Sequence, residues 1–319
     1  MRSFPLLLAL SLLPATARAE TIYVTNEKAA TISVIDGASL KVTATWPVGK
    51  RPRGLLLSKD GRYLYVCASD ANAVQIVDRA TGKVIADLPS GEDPEQFALS
   101  VDGKTLFAAN ERDAAVTAID VPGKSVAFQL AVGVEPEGMA TSPDGTTVIS
   151  TSETDDSIHW IDLASKTDVA TTTVGARPRH AEFTADGKQL WVSAEIGGDI
   201  SVIDVASRKV VDRVTFAPPG VLASTVMPVG IRFTPDGKTA LVALGRGNTI
   251  AFVDVATRKP TGYVTVGGRV WHLAISPDGR RAFTANGLTN DVSVIDLATR
   301  KVVATIPVDK APWGVVIAE

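Results

Sequence analysis

Prolines recur in phase at Pro52, Pro94, Pro136, Pro178, Pro228 and Pro312, with Val270 in a seventh equivalent place. The residues just after them carry most of the chain's chemistry. The first reads Arg53, Glu95, Glu137, Arg179, Val229, Trp271 and Trp313. The second reads Gly54, Gln96, Gly138, His180, Gly230, His272 and Gly314, so the two histidines depart from a glycine default. If these positions converge, two carboxylates stand between two arginines, followed by an apolar arc with two indoles. Arginine forks hold carboxylates, and indoles offer flat stacking surfaces. The set suits a small anionic or aromatic ligand. Histidine beside glutamate would alternatively supply acid–base chemistry, provided the loops bring them within hydrogen-bond reach.

A repeating unit must position these residues. The phrase Thr31-Ile-Ser-Val-Ile-Asp36 returns as Asp291-Val-Ser-Val-Ile-Asp296, and its aspartate recurs at Asp36, Asp78, Asp120, Asp162, Asp204, Asp254 and Asp296. The intervals are 42, 42, 42, 42, 50 and 42 residues. An Asp-Gly pair runs in step, from Asp60-Gly61 to Asp278-Gly279. A period near 40 residues with strand-like content predicts a β-propeller. One unit parses into strands over residues 53–58, 62–69, 73–78 and 83–88, with Lys59-Asp-Gly61 and Ala80-Thr-Gly82 as turns. The expected fold is all-β, with seven blades of four antiparallel strands. The chain after residue 19 starts on a second strand, Thr21-Ile-Tyr-Val24, and finishes on a first strand, Pro312-Trp-Gly-Val-Val-Ile317. The C-terminal strand should therefore complete the N-terminal blade and leave no open edge.

This parse puts the inter-blade loops and the loops between second and third strands on one face, with the Asp-Gly turns on the other. The first face gains Glu27, Glu111, Glu153 and Glu195 at one repeat position, and the only long insertion, around residues 217–225. That insertion is either a lid, a docking loop or a simple drift in length. His159 stands where other repeats have Ser33, Gln75, Thr117 and Ser201, a tolerated polar position. Glu182 and Arg232 hold matching places in neighbouring blades and read as a structural ion pair in the channel. Cys67 shares its slot with small residues such as Ala109 and Ser193, and reads as packing. His180 and His272 lack the close spacing of a metal site, so no metal is expected.

Bulk properties bound the rest. With 319 residues, 45% hydrophobic content and a net charge of −3, the chain lacks the basic excess of a nucleic-acid binder. Arg2, an apolar run over residues 6–13 and Ala17-Arg-Ala19 have the layout of a secretory signal cleaved after Ala19. The expected organisation is a signal peptide over 1–19 and one propeller over 20–319, exported to the periplasm and without a membrane span. A single cysteine rules out an internal disulfide.

The phrase Tyr23-Val-Thr-Asn26, echoed in Phe107-Ala-Ala-Asn110 and Phe283-Thr-Ala-Asn286, resembles the propellers named for a Tyr-Val-Thr-Asn repeat. The resemblance covers residues 20–319. More narrowly, the chain looks like the exported branch associated with catabolism dependent on pyrroloquinoline quinone (PQQ). It implies a non-catalytic binding or accessory protein of periplasmic alcohol oxidation, with PQQ as a ligand and a quinoprotein dehydrogenase or c-type cytochrome as partner. Arg177-Pro-Arg-His180 is also similar to a motif of seven-bladed lactonases, which implies hydrolysis by Arg179, His180 and Glu153. A third reading is a docking platform anchored by Trp271 and Trp313.

Overall fold

In the computed structural model, which describes residues 20–319, twenty-eight strands (β1–β28 in chain order) form seven four-stranded sheets. The expected signal peptide, residues 1–19, lies outside the described residues. No helix among the described residues is long and apolar enough to cross a membrane. Blade 2 is representative, with β4 (Pro52–Leu57), β5 (Tyr63–Ala68), β6 (Ala73–Asp78) and β7 (Lys83–Pro89) paired antiparallel in that order. Blade 1 takes the order β28-β1-β2-β3, with β28 (Pro312–Ala318) against β1 (Thr21–Asn26) and Ile22 opposite Ile317. The C-terminal strand thus closes the ring, as the repeat phase requires.

Burial follows the sequence pattern. Second and third strands such as β5 and β6 are apolar runs, buried on both sides because blades stack face to face. Outer strands alternate, as in Lys83–Pro89, because one side faces solvent. The core is a set of layers between adjacent blades. Tyr65, Val74, Ile76 and Leu88 of blade 2, for example, pack with Phe97, Leu106 and Ile119 of blade 3.

Both recurring aspartates are turn residues. Asp36 accepts hydrogen bonds from the Ser39 N–H at 2.7 Å and the Ser39 hydroxyl at 2.5 Å. The pairs Asp78–Thr81, Asp162–Ser165, Asp204–Ser207, Asp254–Thr257 and Asp296–Thr299 repeat this. In the Asp-Gly turns, Asp60 accepts from the Ser58 hydroxyl at 2.6 Å, and Gly61 takes φ 69°, where a side chain would be strained. The phrase that reveals the fold is therefore turn chemistry, on the face away from the inter-blade loops. The family-like asparagines are also structural: Asn26 is buried and donates to Ser33 Oγ at 2.9 Å.

The insertion forms a short 3-10 turn, Ala223–Thr225, and its Ala217 N–H donates to the Tyr263 hydroxyl at 3.0 Å. The inner strand that follows it is shortened to Ile231–Phe233.

Candidate functional site: a plugged mouth above an open channel

In six of the seven blades the residue before the inter-blade proline or valine positions the mouth. Arg51, Asp93, Glu135, Arg177, Arg269 and Ala311 all adopt left-handed backbone, with φ of 54, 57, 55, 58, 55 and 57°. Such a conformation costs a non-glycine residue about 1–2 kcal/mol. Bridging hydrogen bonds offset it. The Arg177 N–H donates to Asp156 Oδ1 of the preceding blade at 2.9 Å, while its carbonyl accepts from the Glu195 N–H at 2.9 Å. The same pair of bonds links Asp93 to Asn72 and Glu111, and Ala311 to Asn290 and Glu27. Each left-handed residue is thereby tied to the repeat position that carries the mouth glutamates.

These loops bring arginines and carboxylates into one ion-paired layer. Arg53 pairs with Glu95 and, at 3.1 Å, with Glu27. Arg51 reaches Asp93 at 2.5 Å and Glu95 at 2.7 Å. Arg179 contacts Glu137, Glu153 at 2.5 Å and Glu195 at 2.7 Å. Arg269 reaches Glu195 at 2.7 Å and stacks 4.0 Å from the centre of the Trp271 ring. Glu95, Glu137, Glu153, Glu195 and Arg179 are all buried. The arginines are therefore held by the protein's own acids, which corrects the expectation of a free clamp for an anion. Asp93, Glu95 and Glu111 come close enough to hold a cation, but the Arg51 guanidinium already lies among them.

Two of the acids are shifted in opposite directions. Burial first, and then the Glu137 charge, push the Glu153 carboxyl up to about 10. Glu137 is shifted the opposite way: the Arg179 charge and the hydrogen bond from Glu153 overcome its burial. Both carboxyls stand against one guanidinium, so the two charges compete for the same partner.

Below this layer the channel narrows for a steric reason. At Gly138 a Cβ would meet the Arg179 carbonyl oxygen at 2.7 Å and the His180 Cα at 2.9 Å. Gly54 faces Glu95 and Gln96 in the same way, and Gly230 faces Trp271 and His272. Each glycine lets its strand approach the next blade, whose own residue then fills the axis. Gln96, His180 and His272 are the side chains that do so, and all three are buried. The His180 and His272 rings meet edge to face at 5.5 Å, and Trp313 lies 4.3 Å from His272. Residues two blades apart in sequence are thus adjacent in space.

His180 is held by hydrogen bonds on both nitrogens. Nε2 lies 2.8 Å from Arg232 Nη1 and 3.3 Å from Glu182 Oε2, and Nδ1 faces Gln96 Oε1 at 3.3 Å. Burial lowers its pKa, so the ring is neutral. His272 is lowered further, by burial and then by the neighbouring His180 and arginines. Beneath this floor a cavity of about 660 Å³ runs to the Asp-Gly face, where it is lined by Ser58, Lys59, Thr184 and Ala185. The Glu182–Arg232 pair, 2.7 Å apart, stands on its wall as the expected channel ion pair.

The YNCE-like β-propeller family matches residues 7–319. The chain belongs to that family. Solved propellers share its fold at low identity. One is the Kuenenia stuttgartiensis hydrazine synthase, at 22% identity, covering 87% of this chain and 92% of that one, with a TM-score of 0.79. Another is a functionally unknown protein from Desulfotomaculum acetoxidans DSM 771, at 14% identity, 94% and 99% coverage and a TM-score of 0.80. A third comes from Bacteroides uniformis ATCC 8492 and is named as a candidate 6-phosphogluconolactonase, at 17% identity, 95% and 100% coverage and a TM-score of 0.79. No curated protein matches the chain.

Within this family fold, the candidate residues divide into two levels. Arg53, Glu95, Glu137, Glu153, Arg179 and Trp271 belong to the paired layer, while His180, His272 and Trp313 line the cavity floor. The lactonase-like set is split between them: Arg179 and Glu153 bond each other, whereas His180 faces Gln96, Glu182 and Arg232. Trp313 is 2% exposed and packed, so it does not serve as an exposed anchor. His159 is structural, sitting 2.6 Å from Asp168 and accepting from the Gly133 N–H. Cys67 is fully buried, as its small-residue slot suggests. The residues missed from sequence are Arg51, Asp93, Arg177 and Arg269. Their one signal was their place immediately before the inter-blade proline or valine.

Proposed function

We propose that the protein is a non-catalytic accessory propeller of the periplasm, serving quinoprotein-dependent alcohol oxidation by binding. The likeness to the exported, PQQ-associated branch suggests the pathway, and the signal-like pattern over residues 1–19 suggests the compartment. The non-catalytic reading rests on the state of the groups a hydrolase would need. Arg179 is engaged by Glu137, Glu153 and Glu195, and His180 Nε2 is occupied by the Glu182–Arg232 pair. A general base needs a free lone pair facing its substrate. PQQ does not fit the upper mouth, because a polycarboxylate there meets Glu95, Glu137 and Glu153 with the arginines already paired.

A specific observation favours partner docking as the form of this binding. Ile196, Leu222 and Leu288 stand 64%, 73% and 67% exposed on loops of the mouth face. Apolar side chains presented on rigid loops mark an interaction surface. The partner chemistry is that of a periplasmic dehydrogenase or c-type cytochrome. Crosslinking in periplasm, followed by purification and mass spectrometry, tests it. Capture of such an enzyme, lost in L222D/L288D, is the expected result. Capture of neither class, or lactone hydrolysis abolished by H180A, would overturn the proposal.

A further inference from the structure

The channel cavity holds a polar arrangement that the paired mouth does not use. Arg232 spends a single nitrogen on the protein: Nη1 bonds Glu182 Oε2 at 2.7 Å, His180 Nε2 at 2.8 Å and its own residue's neighbour, the Ile231 carbonyl, at 2.8 Å. Its Nε and Nη2 make no hydrogen bond to the described residues, and the side chain is 30% exposed on the cavity wall. The floor carries two more unpaired groups. His272 Nε2 and Trp313 Nε1 are buried without a hydrogen-bond partner, in side chains 5% and 2% exposed. Buried polar atoms without partners are rare, because each costs the full desolvation of that group.

Around these groups the walls are apolar, with Leu57, Phe97, Leu99, Met139, Phe183 and Val315. The charged side chains that line the space are Lys59 and Arg232 against Glu182, an excess of one positive charge. Both lining histidines are lowered in pKa and neutral. A cavity of this size falls in the range of small-molecule sites, which are largely apolar with a few placed polar groups.

We propose that this cavity, entered from the Asp-Gly face, is a binding site for a small organic carboxylate with a compact apolar body. The carboxylate takes the free Nε–Nη2 edge of Arg232, the fork geometry that suits two parallel N–H···O bonds. The body of the ligand fills the space between Phe97, Met139 and Phe183. Glu182 competes for the same guanidinium, so it limits the affinity. The site is independent of the accessory role proposed for the opposite face.

Titration calorimetry with phenylacetate and hexanoate as probes, and 2-phenylethanol as the neutral counterpart of the first, tests the proposal. At least one carboxylate should give a saturable isotherm, with the alcohol at least tenfold weaker. R232Q should weaken carboxylate binding tenfold or more. E182Q removes the competing acid without stranding a carboxylate, and should tighten it severalfold; it also keeps the test open if R232Q fails to fold. Absence of binding by both carboxylates, or affinities unchanged in E182Q and in a folded R232Q, would overturn the assignment.

Discussion

Arg232 Nη1 lies 2.8 Å from His180 Nε2, and Glu182 Oε2 stands within reach of both, at 2.7 Å from the guanidinium and 3.3 Å from the ring. The guanidinium only donates and the carboxylate only accepts, so Nε2 lies between the two members of an ion pair, while Nδ1 faces Gln96 Oε1. Gln96 in turn donates from Nε2 to the Arg179 carbonyl at 3.1 Å. The floor of the channel is therefore wired to the backbone of the charged layer above it.

Nitrogen NMR of the histidine side chains should find the His180 ring neutral at pH 7. Its pKa should lie below the ordinary histidine value, because burial disfavours the cation. A group depressed in this way stabilises the fold above its unfolded pKa, and that contribution is lost as the pH falls. An ordinary His180 titration would mean that the ring is open to solvent.

Removing Arg179 should destabilise the ring strongly. The side chain is buried against three carboxylates, and truncation leaves them uncompensated. R179A should lose about 3–5 kcal/mol in urea unfolding, the usual cost of breaking a buried ion pair from one side. R179K should not restore it fully, since an ammonium cannot reproduce the planar fork. Wild-type stability in R179A would mean the layer is open to solvent.

The Glu153–Glu137 pair predicts a pH dependence with a definite sign. Glu153 keeps its proton in the folded chain up to about 10, whereas an unperturbed glutamate titrates near 4.5. Between those values the folded state binds an extra proton, so this group's contribution is full below the lower value and declines as pH rises. E153Q carries no titrating proton. Urea unfolding from pH 6 to pH 9 should therefore show E153Q gaining stability relative to wild type. A difference that stays constant with pH would show that Glu153 is ionised throughout.

Alanine at Gly138 should be costly despite its small volume. The added methyl would sit 2.7 Å from the Arg179 carbonyl oxygen, which is backbone and cannot swing away. A loss of about 1–3 kcal/mol is expected, the range for overpacking a filled site. A thermal melt equal to wild type would mean that the two strands separate freely.

Ring closure predicts an all-or-none loss. Deleting Pro312–Glu319 removes Trp313 and Val315 from the core and exposes the edge of β1. The truncated chain should lose its cooperative melt, as circular dichroism would report. A melting temperature unchanged by the deletion would contradict the pairing of β28 with β1.

The 42-residue phase, the turn aspartates and the alternating burial were legible in the chain because they are local: each depends on residues within one repeat. Even the closing strand follows from counting, since a chain that starts on a second strand must end on a first. The inter-blade face could be named the same way, and Arg53, Glu95, Glu137, Arg179 and the Glu182–Arg232 pair were located on it or in the channel from repeat position alone. What tertiary structure decided was pairing across the axis. Gln96 and His180 are 84 residues apart, and Arg269 and Glu195 are 74 apart, yet both pairs bond. Such contacts depend on the channel radius, on which glycines let neighbouring strands close in, and on left-handed backbone at Arg51, Arg177 and Arg269. None of these is a property of a single repeat. They determine that the upper mouth is neutralised by its own charges, and that the open cavity lies toward the other face.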